Sequence, residues 1–347
     1  ILGTRDFVAP GGNVFVEHIH GMMVLSTIGG NVPGQLVGTA PKAHFWLLRS
    51  EDAATEYIIE EYNWVCAAEF ADSVGADIIT SSLGYTEFND PTMSHTCADM
   101  DGHTNPATRG ANIAALKGMV VVNSAGNEGG SMWTCVSTPS DGDNVLSIAA
   151  VDSNGVRAGF SSVGVDTNGR VKPNIAAMGE NTVVFWVDNN ITRASGTSFS
   201  CPITSGMIAC LWQAHPEATP AEIYRAVERS GNQFSNPDSL LGYGIPDYNA
   251  AMTVLSIPSK SAGTVVTAYP NPFKDSFTLT FTMKVAEPIT LSVFDAMGRR
   301  VFANTYADGM SGENSVNSGN LGHLVKGLYL VKIEGKSFFG NVRVVKE

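Results

Sequence analysis

The sequence predicts two units in tandem: an α/β unit built on a parallel sheet, then a small all-β unit that reads as a sandwich. Three observations predict this. Residues 1–259 alternate helix-periodic stretches with short apolar segments. Residues 260–347 alternate apolar and polar positions in twos. Charge changes sign between the two: the first run holds 26 Asp/Glu against 11 Lys/Arg, and the second 7 against 10, balances of −15 and +3. A short Pro/Ser/Gly-containing linker at 258–264 separates an α/β unit over 1–257 from an all-β unit over 265–347.

Each element has its own signal. Lys42 to Leu48 reads as a strand, and Glu56 to Asp72 as a helix with Ile58, Tyr62 and Val65 on one stripe. Ala76 to Thr80 is a short apolar strand. Ala107 to Lys117 is a helix that Gly118 ends. Met119 to Val122 and Val145 to Val151 are strands rich in β-branched residues. Strand–helix–strand repetition implies a parallel sheet with right-handed crossovers. Thr219-Pro220-Ala221-Glu222 is a capping box opening a further helix, closed by Gly231. In the tail, Phe277 to Phe281, Ile289 to Phe294, Leu328 to Ile333 and Val342 to Val345 are strands separated by turns, one at Asp295-Ala296-Met297-Gly298.

Composition bounds the partners. The 347 residues are 44% hydrophobic and 16% charged, a globular composition. A net charge of −12 argues against a nucleic-acid or anionic-membrane partner. No apolar run is long enough to span a bilayer. The chain starts without Met or a basic-then-apolar leader, so Ile1 reads as a cut end. The five cysteines have neither zinc-site spacing nor scaffold density. Cys66, Cys201 and Cys210 fall on expected helices and read as core residues, while Cys97 and Cys135, in polar loops, are a candidate bridge for an exported protein.

The chemistry gathers in four segments. Gly196-Thr197-Ser198-Phe199-Ser200-Cys201-Pro202 puts a serine at the mouth of an apolar helix over Ile203 to Trp212, with Pro202 expected in a first turn. A helix entrance offers free N–H groups and a positive dipole end to charge developing on an attacked carbonyl. An N-cap role for Ser198 is the plainer alternative. Glu17-His18-Ile19-His20-Gly21-Met22-Met23-Val24 sets a histidine before a helical run. Ser124-Ala125-Gly126-Asn127-Glu128-Gly129 follows one expected strand directly, and Ser81-Ser82-Leu83-Gly84 follows another. Residues just past the carboxyl ends of parallel strands line the ligand crevice. Histidine, serine and a carboxamide supply the base, nucleophile and oxyanion donor of acyl transfer.

These segments resemble the subtilisin-like serine proteases. The family carries His-Gly-Thr-x-Val, Ser-Leu-Gly, Ala-Gly-Asn and Gly-Thr-Ser-x-x-x-Pro. Here they stand in the same order as His20-Gly21-Met22-Met23-Val24, Ser82-Leu83-Gly84, Ala125-Gly126-Asn127 and Gly196 to Pro202, with Phe160 to Gly164 and Lys172-Pro173-Asn174 also similar. The resemblance covers residues 1 to about 255 and implies a subtilisin-like parallel sheet flanked by helices. It implies Ser198 as nucleophile, His20 as general base and Asn127 as oxyanion donor, a contact typically worth ~2.7–4 kcal/mol. It implies that Ser82, Leu83 and Gly84 pair with the substrate backbone and that Ser124, Ala125 and Gly126 wall the primary specificity pocket. Ser140, after Pro139, is a candidate for its floor.

Two departures matter. Cys201 stands where the family usually has Ala, which suggests sensitivity of Ser198 to mercurials. The family's aspartate, in an Asp-Ser/Thr-Gly turn before the histidine, has no counterpart: Asp6 sits in Arg5-Asp6-Phe7-Val8 without that turn. The expectation is that the acid and the first part of the sheet lie upstream of Ile1, leaving an N-terminally truncated unit. Without the acid the imidazole tautomer is unfixed and kcat falls about 10⁴-fold.

Rival readings are weaker. His18 and His20 lack a third metal ligand nearby. Asp99-Met100-Asp101-Gly102 opens like a calcium loop without its later ligands, and with His95 and His103 reads as a solvated substrate-side loop. Serine at position 200 breaks the Gly-x-Ser-x-Gly pattern of α/β-hydrolases.

The tail carries Tyr269-Pro270-Asn271-Pro272-Phe273, Val293 to Arg299 and Gly327 to Val331, with a last strand ending at Glu347. It resembles the C-terminal sorting domain of type IX secretion cargo. That implies passage through the periplasm of a Gram-negative bacterium to its surface or the medium. A carbohydrate-binding sandwich is the alternative, with Tyr329 and Phe338 as the aromatics to consider. The expected function is a secreted serine endopeptidase acting on proteins or peptides, partnered by the type IX machinery, with no cofactor and structural calcium left open. The alternatives are a non-catalytic binding or scaffold protein on the same fold, or an inactive fragment.

Overall fold

A computed structural model describes residues 1–164, 170–256, 261–262, 266–295, 299–336 and 338–347. The chain divides into two compact units, Ile1–Ser256 and Ile257–Glu347.

The first unit runs β1 (Gly3–Asp6), α1 (His20–Gly29), β2 (Asn31–Val32), β3 (Leu36–Val37), β4 (Trp46–Arg49), α2 (Ile59–Ser73), β5 (Ile78–Ser81) and α3 (Pro106–Leu116). It continues with β6 (Val120–Ser124), β7 (Val145–Val151), β8 (Ile175–Met178), β9 (Thr182–Phe185), β10 (Ile191–Ala194), α4 (Thr197–Ala214), α5 (Pro220–Arg229) and α6 (Tyr248–Ser256). Strands β5-β6-β7-β8 form a parallel sheet in that order. The period of two in β6 divides its side chains between two helical layers. Val120 and Val122 join Ile208, Leu211 and Ile223 on the α4–α6 face, and Val121 joins Trp64, Ala107 and Ala111 on the α2–α3 face. All three valines are fully buried, each contributing about 1.5–3 kcal/mol as an upper bound.

β1 and β4 form a separate parallel pair, Gly3 opposite Trp46. The β4–α2–β5 crossover therefore links strands that do not pair with each other. Leu48 of β4 and Ile79 of β5 nevertheless pack into one cluster beneath α2 and α3. Among the described residues no ladder joins β4 to β5.

The capping box forms as expected: the Thr219 hydroxyl accepts from the Glu222 N–H, and the Glu222 carboxylate accepts from the Thr219 N–H. Cys97 and Cys135 are joined by a disulfide. Two cysteine expectations need correction. Cys66 and Cys210 are exposed, on outward faces of α2 and α4, and only Cys201 is in the core.

The second unit has β11 (Ser261–Ala262), β12 (Thr267–Tyr269), β13 (Thr278–Met283), β14 (Ile289–Phe294), β15 (Arg300–Tyr306), β16 (Gly312–Asn317), β17 (Gly327–Glu334) and β18 (Phe338–Lys346). A five-stranded sheet, β11-β18-β17-β14-β15, and a three-stranded sheet, β12-β13-β16, form the sandwich. Phe273, Phe277, Leu279, Phe281, Leu291 and Val331 fill its core. Tyr329 and Phe338 belong to that core, so neither offers a ring to a ligand. Of the expected linker, Ser261 and Ala262 instead pair with Phe338 and Phe339. Residues 258–260 and 263–264, like turn residues 296–298, lie outside the described residues. Among the described residues no helix is long and apolar enough to cross a membrane.

Candidate active site

The site is built from the α4 entrance outward. α4 starts at Thr197, directly after Gly196, so Ser198 lies in its first turn. This corrects the expected start at Ile203 and places Pro202 inside the helix rather than in a first turn. Proline has no N–H to give the carbonyl four residues back. That carbonyl is Ser198's, and the Ser82 hydroxyl donates to it at 2.8 Å. Ser82 thus fixes the backbone of Ser198 and offsets the missing helical hydrogen bond.

Asn127 is held from the same entrance. Its Oδ1 accepts from the Thr197 N–H at 2.9 Å and from the Thr197 hydroxyl at 3.0 Å. Two donors on one oxygen assign the amide, leaving the Nδ2 hydrogens free to donate elsewhere. A Cβ built at Gly196 would lie 3.7 Å from that Nδ2, so a donor stands beside the residues that lead into Ser198. The Gly126 N–H also donates to the Thr197 hydroxyl, at 3.3 Å. Thr197 therefore locks the 126–127 turn onto the start of α4.

His20 opens α1, and α1 packs against α4. Its backbone N–H donates to His18 Nδ1 at 3.2 Å. Burial, and then the like charge of His18, hold the His20 imidazole below its ordinary value of 6.5. The free N–H groups at the start of α1 act in the same direction. Among the described residues no carboxylate is paired with the His20 ring, and no hydrogen bond joins that ring to the Ser198 hydroxyl.

A lowered pKa keeps the ring neutral at lower pH, so a base at this position sets an acidic limb below about pH 6.5. It also makes stability rise with pH through that window, because the unfolded chain binds the proton more readily. His18→Ala removes the like charge and moves the His20 titration upward, an outcome measurable from its ring proton shifts by NMR.

Asp6 is not aimed at His20. Its Oδ1 accepts from the Val8 and Ala9 N–H groups at 2.9 and 2.8 Å, and its Oδ2 accepts from Arg49 at 3.0 Å. Burial opposes ionisation, but the hydrogen bonds from Ala9, Arg49 and Val8 outweigh it and hold the carboxyl below its usual range. Asp6 closes the turn after β1.

The two expected substrate walls meet at a residue not singled out from the sequence, Ser137. Its N–H donates to the Ala125 carbonyl, and the Tyr85 N–H donates to the carbonyl of the next residue, Thr138. A Cβ at Gly84 would collide with Ser137 Oγ. A Cβ at Gly126, where φ is 110°, would meet Glu128 Oε2 at 2.5 Å, Ser162 Oγ at 2.7 Å and Ser137 Oγ at 3.3 Å. The Ser140 hydroxyl instead bonds the Ser147 hydroxyl, away from both glycines. Of the first wall, Ser82 spends its hydroxyl on Ser198, and Leu83 gives its carbonyl to Asn123 Nδ2. Gly84 keeps its N–H and C=O without a protein partner among the described residues. Ser124 and Ala125 are buried behind the second wall.

Cys201 does not face the entrance. It is fully buried, its Sγ against the Ser81 and Val122 carbonyls, and burial pushes the thiol up to about 12. The expected mercurial sensitivity through Cys201 is therefore withdrawn.

The loop carboxylates are spent locally. Asp99 accepts from Thr96, and Asp101 from the His103 and Thr104 N–H groups. His95 is buried against Glu61 rather than solvated. Glu51, Glu56 and Glu60 bring carboxylate oxygens within 4.8 Å of one another, a spacing open to a hard cation. Burial, and then repulsion from Glu60 and Glu51, push Glu56 up to about 7.

A three-layer α/β sheet, with a serine in the first turn of a buried helix and a pinned carboxamide beside it, defines the class: an α/β protein with the parts of an acyl-transfer site. Residues 7–244 match the profile of the subtilase family, and the chain belongs to that family. Residues 267–347 match the profile of the secretion system C-terminal sorting domain. The serine protease AprX of Bacillus subtilis is 27% identical over 73% of this chain and 62% of its own length. A thermophilic serine proteinase of Bacillus sp. strain AK1 is 29% identical over 67% of this chain and 51% of its own length. The chain thus spans between half and two thirds of these two relatives. The self-cleaved protease domain of PatA superposes with a TM-score of 0.58 at 23% identity, over 73% of this chain and 88% of that one. MycP1 from Mycobacterium smegmatis does so with 0.56 at 21%, over 72% and 78%. These structures establish the shared fold.

Proposed function

We propose that the protein is a secreted serine endopeptidase that hydrolyses proteins or peptides through an acyl-enzyme on Ser198. The observation that carries this is the Asn127 amide, pinned by Thr197 with its N–H₂ free at the start of the helix that holds Ser198. The Ser198 hydroxyl attacks the scissile carbonyl, His20 takes its proton and later delivers it to the leaving amine, and Asn127 donates to the oxyanion. Ser82, Leu83 and Gly84 lie along one side of the substrate, with the open Gly84 N–H and C=O available for pairing. Gly126 presents the opposite wall, with Ser124 and Ala125 buried behind it.

The acid that orients His20 comes, in this reading, from polypeptide outside Ile1–Glu347. The sheet supports it: β4 and β5 are joined by a crossover, share one core cluster and yet do not pair. One more parallel strand between them would close the sheet and end near the same crevice. That no carboxylate among the described residues pairs with the His20 ring favours a second reading for the isolated chain, a non-catalytic binding protein on the same fold. A fluorophosphonate probe on the full-length protein separates them. Labelling that Ser198→Ala removes supports the peptidase; a folded full-length protein that takes no label supports the binder.

The sandwich is the export address, handed to the type IX machinery after passage through the periplasm of a Gram-negative cell. Its match to a sorting-domain profile supports this. Deleting residues 265–347 should retain the protein inside the cell, as fractionation and immunoblotting would read. Normal export of the truncated form would contradict the assignment.

A further inference from the structure

We infer that the C-terminal sandwich docks through one face, the outward side of the β14–β17–β18 ladder, onto a protein surface of apolar side chains edged by carboxylates. This rests on the export-address reading above and names the surface that serves it.

A two-layer sandwich has two outward faces, and a solvated face reads polar. The three-stranded sheet obeys this. Leu279, Phe281 and Met283 of β13 are in the core, so Thr278, Thr280 and Thr282 alternate outward. Their ladder partners on β16 are Asn317, Ser315 and Glu313. The five-stranded sheet breaks the pattern. Tyr329, Val331 and Ile333 of β17 are in the core, yet the alternate positions hold Leu328 and Leu330, 51% and 43% exposed. Leu328 is paired with Val345, 40% exposed. Leu330 lies between Arg343 and Phe294. A strand apolar on both sides belongs to a sheet covered on both faces.

This face is also grooved. Phe294, Leu328, Leu330, Lys332 and Arg343 line an open groove of about 460 Å³. The carboxylate at its rim, Asp295, is paired with Arg299 at 2.8 Å. Lys332 is paired with Glu334 at 2.9 Å and stands over the Phe339 ring. Arg343 is exposed, and its guanidinium has no ion pair or hydrogen bond among the described residues. A guanidinium among exposed leucines fits a carboxylate set in an apolar surface. Residues 260–347 carry 10 Lys/Arg against 7 Asp/Glu, a balance that favours an acidic partner. Two copies meeting on this side would oppose like charges. An anionic membrane is recognised by clusters of about 4–8 cations, and this groove has two.

The test follows export of the full-length protein in its native host, by fractionation and immunoblotting. Leu330→Glu and Arg343→Glu should each lower the exported fraction about tenfold, the scale of one interface hot spot. Arg343→Lys keeps the charge and should retain most export. Thr282→Glu puts the same carboxylate on the polar face and should export normally. Trypsin resistance of the tail in the retained protein shows that it is folded. Arg343 is exposed, so its variant leaves the core untouched and decides the matter where Leu330→Glu unfolds. If both face variants export normally while the 265–347 deletion is retained, the docking face is overturned and the export address stands. If the deletion itself exports normally, both fall. Retention of Thr282→Glu as well would make the effect one of charge anywhere on the sandwich and overturn the docking face. Purified full-length protein that co-sediments with phosphatidylglycerol vesicles, and no longer does so as Arg343→Glu, would make the partner a lipid and overturn the protein surface.

Discussion

Replacing Ser198 with alanine should abolish hydrolysis by the full-length protein while leaving the fold intact. The expected loss in kcat is about 10⁶-fold, the scale recorded for subtilisin, a relative in the same family. The fold should survive because the Ser198 side chain makes no hydrogen bond among the described residues. What positions this residue is its backbone: the first turn of α4 and the carbonyl that Ser82 holds at 2.8 Å. Circular dichroism and thermal melting should therefore match the parent. Residual cleavage near the parent rate would move the nucleophile to another residue. A collapsed melting curve would make Ser198 a structural cap instead.

The second large effect is expected at Asn127, where two substitutions together say more than either does. Asn127→Ala removes the donor to the oxyanion and should lower kcat by about 10²–10³-fold with little change in KM. It also frees Thr197, whose N–H and hydroxyl both use Asn127 Oδ1. Asn127→Asp keeps those two hydrogen bonds and replaces the N–H₂ with a second oxygen. If Asn127 merely braced Thr197, the aspartate variant would be close to normal. If it donates to the oxyanion, the aspartate variant should be at least as slow as the alanine variant. Steady-state kinetics on the pair decides between bracing and catalysis.

Much of this site was legible in the sequence because its parts follow short, strongly patterned segments. Val120 to Val122 could hardly be anything but a buried strand, and the turn after it delivers Asn127. The capping box at Thr219 marked α5 to the residue. What was not legible depends on pairing between distant segments. The start of α4 looked late because Pro202 reads as a first-turn residue. Only the Ser82 hydroxyl, 116 residues away in sequence, explains how the helix tolerates it. Ser140 is the candidate pocket floor because it follows a proline, yet its hydroxyl bonds that of Ser147, and it is Ser137 and Thr138 whose backbones tie to Ala125 and Tyr85. No local pattern carries those ties. β16, Gly312–Asn317, is polar apart from Val316 and becomes a strand through its ladder with β13. Cys66 and Cys210 show the limit of helix membership as a guide to burial, since a helix has an outer face as well.

The split between the β1–β4 pair and the β5–β8 sheet is the observation behind the proposal of a further strand between β4 and β5. Parallel strands joined by a helical crossover normally sit in one continuous sheet. Here the helix layer is continuous across the break, and the strands are not. The spent carboxylate of Asp6 fits the same picture, since it is tied to Arg49 within the β1–β4 pair.

The account stands most directly on where the imidazole, hydroxyl and amide lie when an acyl-like group occupies the site. The measurement is an experimental structure of the full-length protein after phosphonylation. We predict a phosphorus–oxygen bond to Ser198 Oγ, with a phosphoryl oxygen within about 2.7–3.1 Å of Asn127 Nδ2. The His20 ring should lie within hydrogen-bonding reach of the adduct. An adduct on any other residue, or an Asn127 amide turned away from the phosphoryl oxygen, would contradict it.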